Sequence, residues 1–232
     1  MATNANKLLK KIPLFQNLSA DEIEAIATLA IERIYPKGSH IFCQGEPIEN
    51  VYFIVNGAIK IYWTDPKGRE HIINILEAGE MFPHQGFFRR DDYPANAVTL
   101  EESILFFIPI KAFEQFLLKN PLICIKIFRI LGDIIVELQN RLEEKALRNT
   151  KEQLILLLLR LAKKHGRPLE KGTFLIRTHF TNQELANMLG ASRETVSRIL
   201  NELKRKGVVS TNESGNLIIY VNQLRNQLEE SI

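Results

Sequence analysis

One segment constrains this chain more than any other: Phe180–Val209, FTNQELANMLGASRETVSRILNELKRKGVV. Two short apolar-periodic stretches flank Gly190. In the second, Val196, Ile199, Leu200 and Leu203 stand at relative positions 0, 3, 4 and 7, one face of an α-helix. In the first, Leu185, Ala186 and Leu189 share a face, and Gly190 supplies the freedom a sharp turn requires. Small Ala186 lets two helices approach, while Val196 and Ile199 fill the angle between them. Four positions with different steric tasks thus agree on a helix-turn-helix.

Turning that apolar face inward leaves a polar row outward, from Ser192, Arg193, Glu194 and Thr195 to Ser197 and Arg198. A guanidinium can pair bidentately with guanine O6 and N7, and a carboxylate can accept from cytosine N4. Thr181 and Gln183, at the start of the first helix, suit backbone contacts that fix register. Double-stranded DNA is therefore the expected partner, read by the helix over 192–205. Two strand-like runs in VVSTNESGNLIIYV, around Glu213–Asn216, predict a hairpin and hence a winged form. TFLIRTHF predicts a further strand upstream.

Charge agrees with this placement. Up to Asn149 the chain carries 17 Lys/Arg and 19 Asp/Glu; beyond it the count is 13 against 8, so the rear is basic. The longest apolar run, Leu154–Leu159, is too short for a membrane span, and the N-terminus lacks a secretory signal pattern, so a cytoplasmic protein without a membrane partner is expected. Cys43 and Cys124 show no metal or disulfide spacing, and no metal site or iron–sulfur cluster is expected. No nucleophile elbow or phosphate loop occurs, so no enzymatic site is expected.

The front half begins with a helical pattern, SADEIEAIATLA, in which Ser19 and Glu22 form a capping box. Short apolar or alternating runs follow (HIFCQG, VYFIVNG, AIKIYW, REHIINILEAGEMF, ANAVTL, SILFFIP), punctuated by glycine turns and the hairpin signal Asp65–Gly68. An antiparallel barrel or sandwich is predicted. From Leu122 to about Asn149 a long helix carries two apolar stripes. Cys124, Phe128, Leu131, Ile135, Leu138 and Leu142 form a heptad seam, and Ile123, Ile127, Ile130 and Ile134 lie beside it. One stripe is expected to pack on the barrel and the other on a second copy of the chain. The next helix is expected to start with Thr150 as N-cap and Gln153 as its box partner, and to stop at a left-handed Gly166.

This order, with its most specific motif in SRETVSRIL, resembles the CRP/FNR family of bacterial transcription regulators. The resemblance implies an α+β chain. An N-terminal antiparallel β-roll of the cyclic-nucleotide-binding, jelly-roll type would cover 1–121, a dimerisation helix 122–149, and a winged helix-turn-helix domain 150–232. It also implies a homodimer that reads a TGTGA-like palindrome through the residues matching Arg193, Glu194, Ser197 and Arg198, and that works with RNA polymerase. A ligand at the barrel–helix junction would reorient the reading helices.

The front domain departs from the family's nucleotide-binding pattern. Pro83 and His84 stand where a Gly-Glu would bond ribose, and Tyr93-Pro94-Ala95 where an Arg-Ser/Thr-Ala would clamp the phosphate. Burying a phosphate without a cation is prohibitive, and Arg89 and Arg90 would be a shifted clamp without its Glu, so cyclic AMP is not expected. Any effector pocket is expected to involve His84, Gln85, Tyr93 and Asn96; the effector is unknown. The alternatives are a haem- or other small-ligand-gated sensor, with His84 as haem ligand though without the family's Cys partner, and a cyclic-nucleotide-type module that regulates an enzyme. The helix-turn-helix and basic rear disfavour the latter.

Overall fold

The structure is a computed structural model that describes residues 2–84, 92–170 and 172–229. The chain divides into two compact units, 1–137 and 138–232. In the first, helices α1 (Ala2–Leu9) and α2 (Ala20–Leu29) precede strands β1 (Ile31–Tyr35), β2 (His40–Phe42), β3 (Asn50–Asn56), β4 (Ala58–Thr64), β5 (Glu70–Glu77), β6 (Met81–Phe82), β7 (Asn96–Thr99) and β8 (Ser103–Pro109). Helices α3 (Ile110–Lys119) and α4 (Pro121–Leu147) follow, and α4 runs on into the second unit.

The strands form two antiparallel four-stranded sheets, ordered β1-β8-β3-β6 and β2-β7-β4-β5. Side chains alternate across a strand, and β3 uses both faces. Tyr52 and Ile54 enter the core between the sheets with Phe42, Ile59, Leu76, Phe82 and Leu105. Val51 and Phe53 enter a second core with Phe15 and Ile26, Phe113 of α3, and Ile123 and Ile127 of α4. A strand buried on both faces explains why VYFIV reads as an unbroken apolar run.

Gly57 links β3 to β4 with φ +101°, and a Cβ there would lie 2.1 Å from Ser103 Oγ. The β4–β5 hairpin is the one signalled by Asp65–Gly68. Asp65 accepts from the backbone N–H of Lys67 and Arg69 and from the Arg69 guanidinium. Ser19 and Glu22 cap α2 reciprocally, as expected.

The two stripes of α4 have different fates. Ile123 and Ile127 are buried in the second core and Ile130 packs against it. Phe128, Ile135, Leu138 and Leu142 remain exposed, as do Ile125 and Val136 beside them. Cys124 and Leu131, expected in the exposed seam, instead half-bury against the second core, because they border the inner stripe.

The second unit holds the end of α4, then α5 (Thr150–His165), β9 (Gly166–Glu170), β10 (Thr173–Ile176), α6 (Asn182–Leu189), α7 (Arg193–Arg205), β11 (Val209–Thr211), β12 (Leu217–Tyr220) and α8 (Val221–Glu229). Its sheet is ordered β11-β12-β10-β9. Two local expectations are corrected. The N-cap of α5 is Asn149, not Thr150, and its box partner is Glu152, not Gln153; Asn is the stronger cap. Gly166 is not left-handed but extended, at φ −86° and ψ 130°, where it opens β9. Glycine is needed there for close approach, since a Cβ would lie 2.0 Å from the carbonyl oxygen of Ala162.

Candidate nucleic-acid interface

Helix α7 is fixed by its apolar face. Val196, Ile199, Leu200 and Leu203 are buried, each contributing on the order of 1.5–3 kcal/mol. Rotating the helix by one residue would expose part of this set and bury a charge, so packing determines which side chains face out. Ser192 caps the helix, accepting from Thr195 N–H at 3.2 Å, and its hydroxyl also bonds that of Thr195 at 2.9 Å. The preceding helix α6 is capped by Thr181 and Glu184 reciprocally. Phe180 and Leu185 are buried at the spacing of a hydrophobic staple. Gly190 ends α6 in the left-handed region, φ +69°, with its N–H bonded to the carbonyl of Ala186.

On that frame Arg193, Glu194 and Arg198 are exposed in the first two turns of α7, and Ser197 is half-buried beside them. Thr181, Ser192 and Thr195 belong to the same surface, but their hydroxyls are engaged in capping. Gln183 is exposed, its amide N–H₂ donating to Asn187 Oδ1 at 2.8 Å. All eight residues expected to face DNA thus lie on the two bihelical elements or their caps.

One carboxylate on α7 is held in check. Glu202 accepts from Lys151 Nζ of α5 at 2.7 Å, and this bond, aided by the charges of Lys151, Lys206 and Arg198, holds its carboxyl below the ordinary range. The pair ties α7 to α5 and reduces a negative charge four residues beyond Arg198. At the other end of α5, Arg160 pairs with Glu144 in the last turns of α4.

The wing is anchored to this frame. Gly215 turns β11 into β12 at φ +81°, and Asn216 Nδ2 donates to the Arg177 carbonyl at 3.1 Å. A cleft of about 490 Å³ opens between α6, α7 and the wing, and its lining includes His179, Thr181, Gln183, Arg193, Lys204 and Gly215. His179 was not among the residues singled out from sequence: it lies outside both helices, and only the fold brings it beside α7.

The expected effector residues sit in the first unit. Tyr93 is buried, stacked on Phe42 with ring centroids 3.7 Å apart and planes within 5°. Burial pushes its phenol pKa up, as it does that of Tyr52. Asn96 Oδ1 accepts from the Gln44 N–H at 2.9 Å. Both residues have structural tasks in the β-roll. His84 is half-buried. Gln85, Arg89 and Arg90 lie outside the described residues. Cys43 and Cys124 are both free. Among the described residues no group of three or more His, Cys, Asp and Glu could hold a metal ion, and no helix is long and apolar enough to cross a membrane.

A helix-turn-helix with an outward polar row and an attached wing defines a DNA-binding domain, here on a chain whose front unit is an antiparallel β-roll. Residues 32–120 match the cyclic nucleotide-binding domain and residues 152–226 the Crp-like helix-turn-helix domain. The chain is 29% identical to the cyclic AMP receptor protein of Thermus thermophilus, over 87% of its own length and 89% of that protein's. It is 27% identical to the anaerobic regulatory protein of Bacillus subtilis, over 88% and 85% respectively. In fold it is similar to the c-di-GMP-responsive global regulator CLP of Xanthomonas campestris, with a TM-score of 0.74 at 21% identity over 87% of this chain and 99% of that one. The chain belongs to the CRP/FNR family of transcription regulators.

Proposed function

We propose that the protein is a homodimeric regulator that recognises a palindrome of TGTGA-like half-sites and whose β-roll does not take cyclic AMP. The observation that carries the reading is the division of α7, with four residues buried on one side and Arg193, Glu194 and Arg198 exposed on the other. In each half-site the two guanidinium groups would address guanines and Glu194 a cytosine N4, with Ser197 beside them. Thr181 and Gln183 would hold the backbone. Dimerisation is supported by the exposed apolar face of α4, where Phe128 is 62%, Ile135 56% and Leu142 69% exposed. A second copy of α4 would cover this face, and the dimer's symmetry would set the half-sites about one helical turn apart.

Against cyclic AMP stand Pro83, His84 and Tyr93, in places where the family's nucleotide-binding members use backbone, carboxylate and guanidinium. Tyr93 brings no cation, and its ring is committed to the core. By its family, the protein would act through RNA polymerase rather than as an enzyme.

A gel shift tests the central claim. A duplex with a TGTGA palindrome should be retained at far lower protein concentration than the same duplex with both half-sites scrambled. Equal retention would refute the half-site assignment. Native mass spectrometry should show a dimer, and Phe128→Asp should convert it to monomer; an unchanged dimer would move the interface elsewhere.

A further inference from the structure

The cleft beside α7 collects cationic side chains, of which base reading would use Arg193 alone. His179 is exposed, just ahead of the α6 cap, and its imidazole lies against the wing: Nε2 is 3.2 Å from where a Cβ on Gly215 would stand. Arg193 at the start of α7 and Lys204 near its end line the same cleft. The other polar side chains that line it, such as Thr181 and Gln183 at the start of α6 and Thr211 on β11, are neutral, and no carboxylate lines it. The nearest acidic residue on α6, Glu184, is committed to the Thr181 cap. A site with two permanent cations, one imidazole, hydroxyl and amide donors and no carboxylate suits a phosphate diester. Its apolar floor of Leu185, Leu200 and Leu217 suits the face of a deoxyribose.

We propose that this cleft seats a backbone phosphate of bound DNA, and that His179 engages it as the imidazolium, so that DNA binding takes up a proton in each protomer. The proposal rests on the DNA-docking face described above, but not on the base sequence that α7 reads. Physically, a seated phosphate favours the charged form of an adjacent imidazole. An imidazole changes charge near neutrality, where Arg and Lys do not. The sign follows: the phosphate selects the protonated form, so affinity is highest at mildly acid pH and falls as the imidazole loses its proton.

The test uses the full chain, fluorescence anisotropy at fixed salt, and pH values from about 6 to 8. Two duplexes of equal length serve as probes, one with a TGTGA palindrome and one of mixed sequence. A phosphate contact is blind to sequence, so both should lose affinity with rising pH, by roughly fivefold for each protomer engaged, the ceiling for an exposed charge pair. His179→Gln should bind both duplexes with a clearly flatter pH profile and a smaller salt slope. His179→Lys should restore tight binding and remain flat. The difference between variants isolates His179 from the domain's other histidine, the buried His165. Thermal melts should be unchanged, since the residue is exposed.

If His179→Gln keeps the wild-type pH profile, or His179→Lys remains as pH-dependent as wild type, the proposal is overturned. Failure of the half-site reading looks different: the two duplexes would bind alike while the dependence on His179 persisted.

Discussion

Replacing Arg193 with alanine separates two roles that a cationic helix terminus can play. Arg193 is the first residue of α7, directly after its Ser192 cap. It is exposed, and among the described residues its side chain makes no hydrogen bond or ion pair. Alanine is at least as good a helix former as arginine, so the fold should lose less than about 0.5 kcal/mol. Whatever affinity disappears therefore belongs to DNA.

A bidentate pair with guanine is worth about 1–3 kcal/mol of discrimination. A symmetric dimer on a palindrome makes it twice, so Arg193→Ala should cost about 2–6 kcal/mol on the palindrome, at least roughly 30-fold in Kd. On a scrambled duplex only the charge term is lost, a few-fold change that shrinks with added salt. Anisotropy titrations on both duplexes, with a thermal melt as control, measure each term. Equal losses on the two duplexes would show that Arg193 contacts only phosphate. A large fall in Tm would show that it supports the fold, and the division of α7 into a packed and a reading side would then be wrong.

Three further outcomes follow from the geometry. Ser192→Ala removes the α7 cap and should cost about 1 kcal/mol in chemical denaturation, with a larger proportional loss of DNA affinity because the frayed turn carries Arg193; no loss of stability would deny the cap its role. Gly57→Ala should destabilise the β-roll far more than Gly38→Ala. Both positions have positive φ, but the new Cβ at 57 meets Ser103 at 2.1 Å whereas that at 38 meets nothing within 4 Å; similar losses would contradict the packing of the β3–β4 turn. The carboxyl of Asp65 is lowered to about 2 by the backbone N–H of Arg69, its guanidinium and the N–H of Lys67. A depressed carboxyl stabilises the fold fully above the unfolded value and loses that contribution as pH falls toward 2. The Tm gap between wild type and Asp65→Asn should therefore narrow from pH 4 downward, and a constant gap would count against the hydrogen-bonded turn.

The elements that could be read in the sequence are those whose signal is local. Ser19 with Glu22, and Asp65 at the head of its turn, satisfy nearby backbone groups with nearby side chains, and Gly190 supplies a left-handed turn between two periodic stretches, so a few residues suffice. Four elements escaped for the opposite reason. Strand β1, IERIY, has four exposed residues of five and takes its place only by pairing with β8, some seventy residues away. Strand β9, GRPLE, contains a proline and no apolar alternation, and exists because β10 pairs with it. Helix α1 and helix α8 were not anticipated either. Their apolar contacts are few and the helices short: Leu9 in the second core with Ala5 and Leu8 against it, and Leu224 at full burial. The helix cap at Asn149 was displaced by one residue because two adjacent side chains, Asn149 and Thr150, can both cap.

The same distinction governs the two candidate sites. On α7 the charged row is legible because the fold does not need it: once Val196, Ile199, Leu200 and Leu203 are assigned to the interior, Arg193, Glu194 and Arg198 have no structural task left. In the β-roll, Tyr93 and Asn96 are residue types that suit a ligand pocket and a packed core equally well. Only the coordinates reveal that Phe42 lies 3.7 Å from one ring and the Gln44 N–H 2.9 Å from the other side chain. His179 illustrates a third case. Its chemistry is plain from the sequence but its neighbourhood is not, since Gly215 and Lys204 reach it from elements 25 or more residues further along. A charge row on one helix can be inferred from period alone, whereas a cleft shared by three elements requires their packing first.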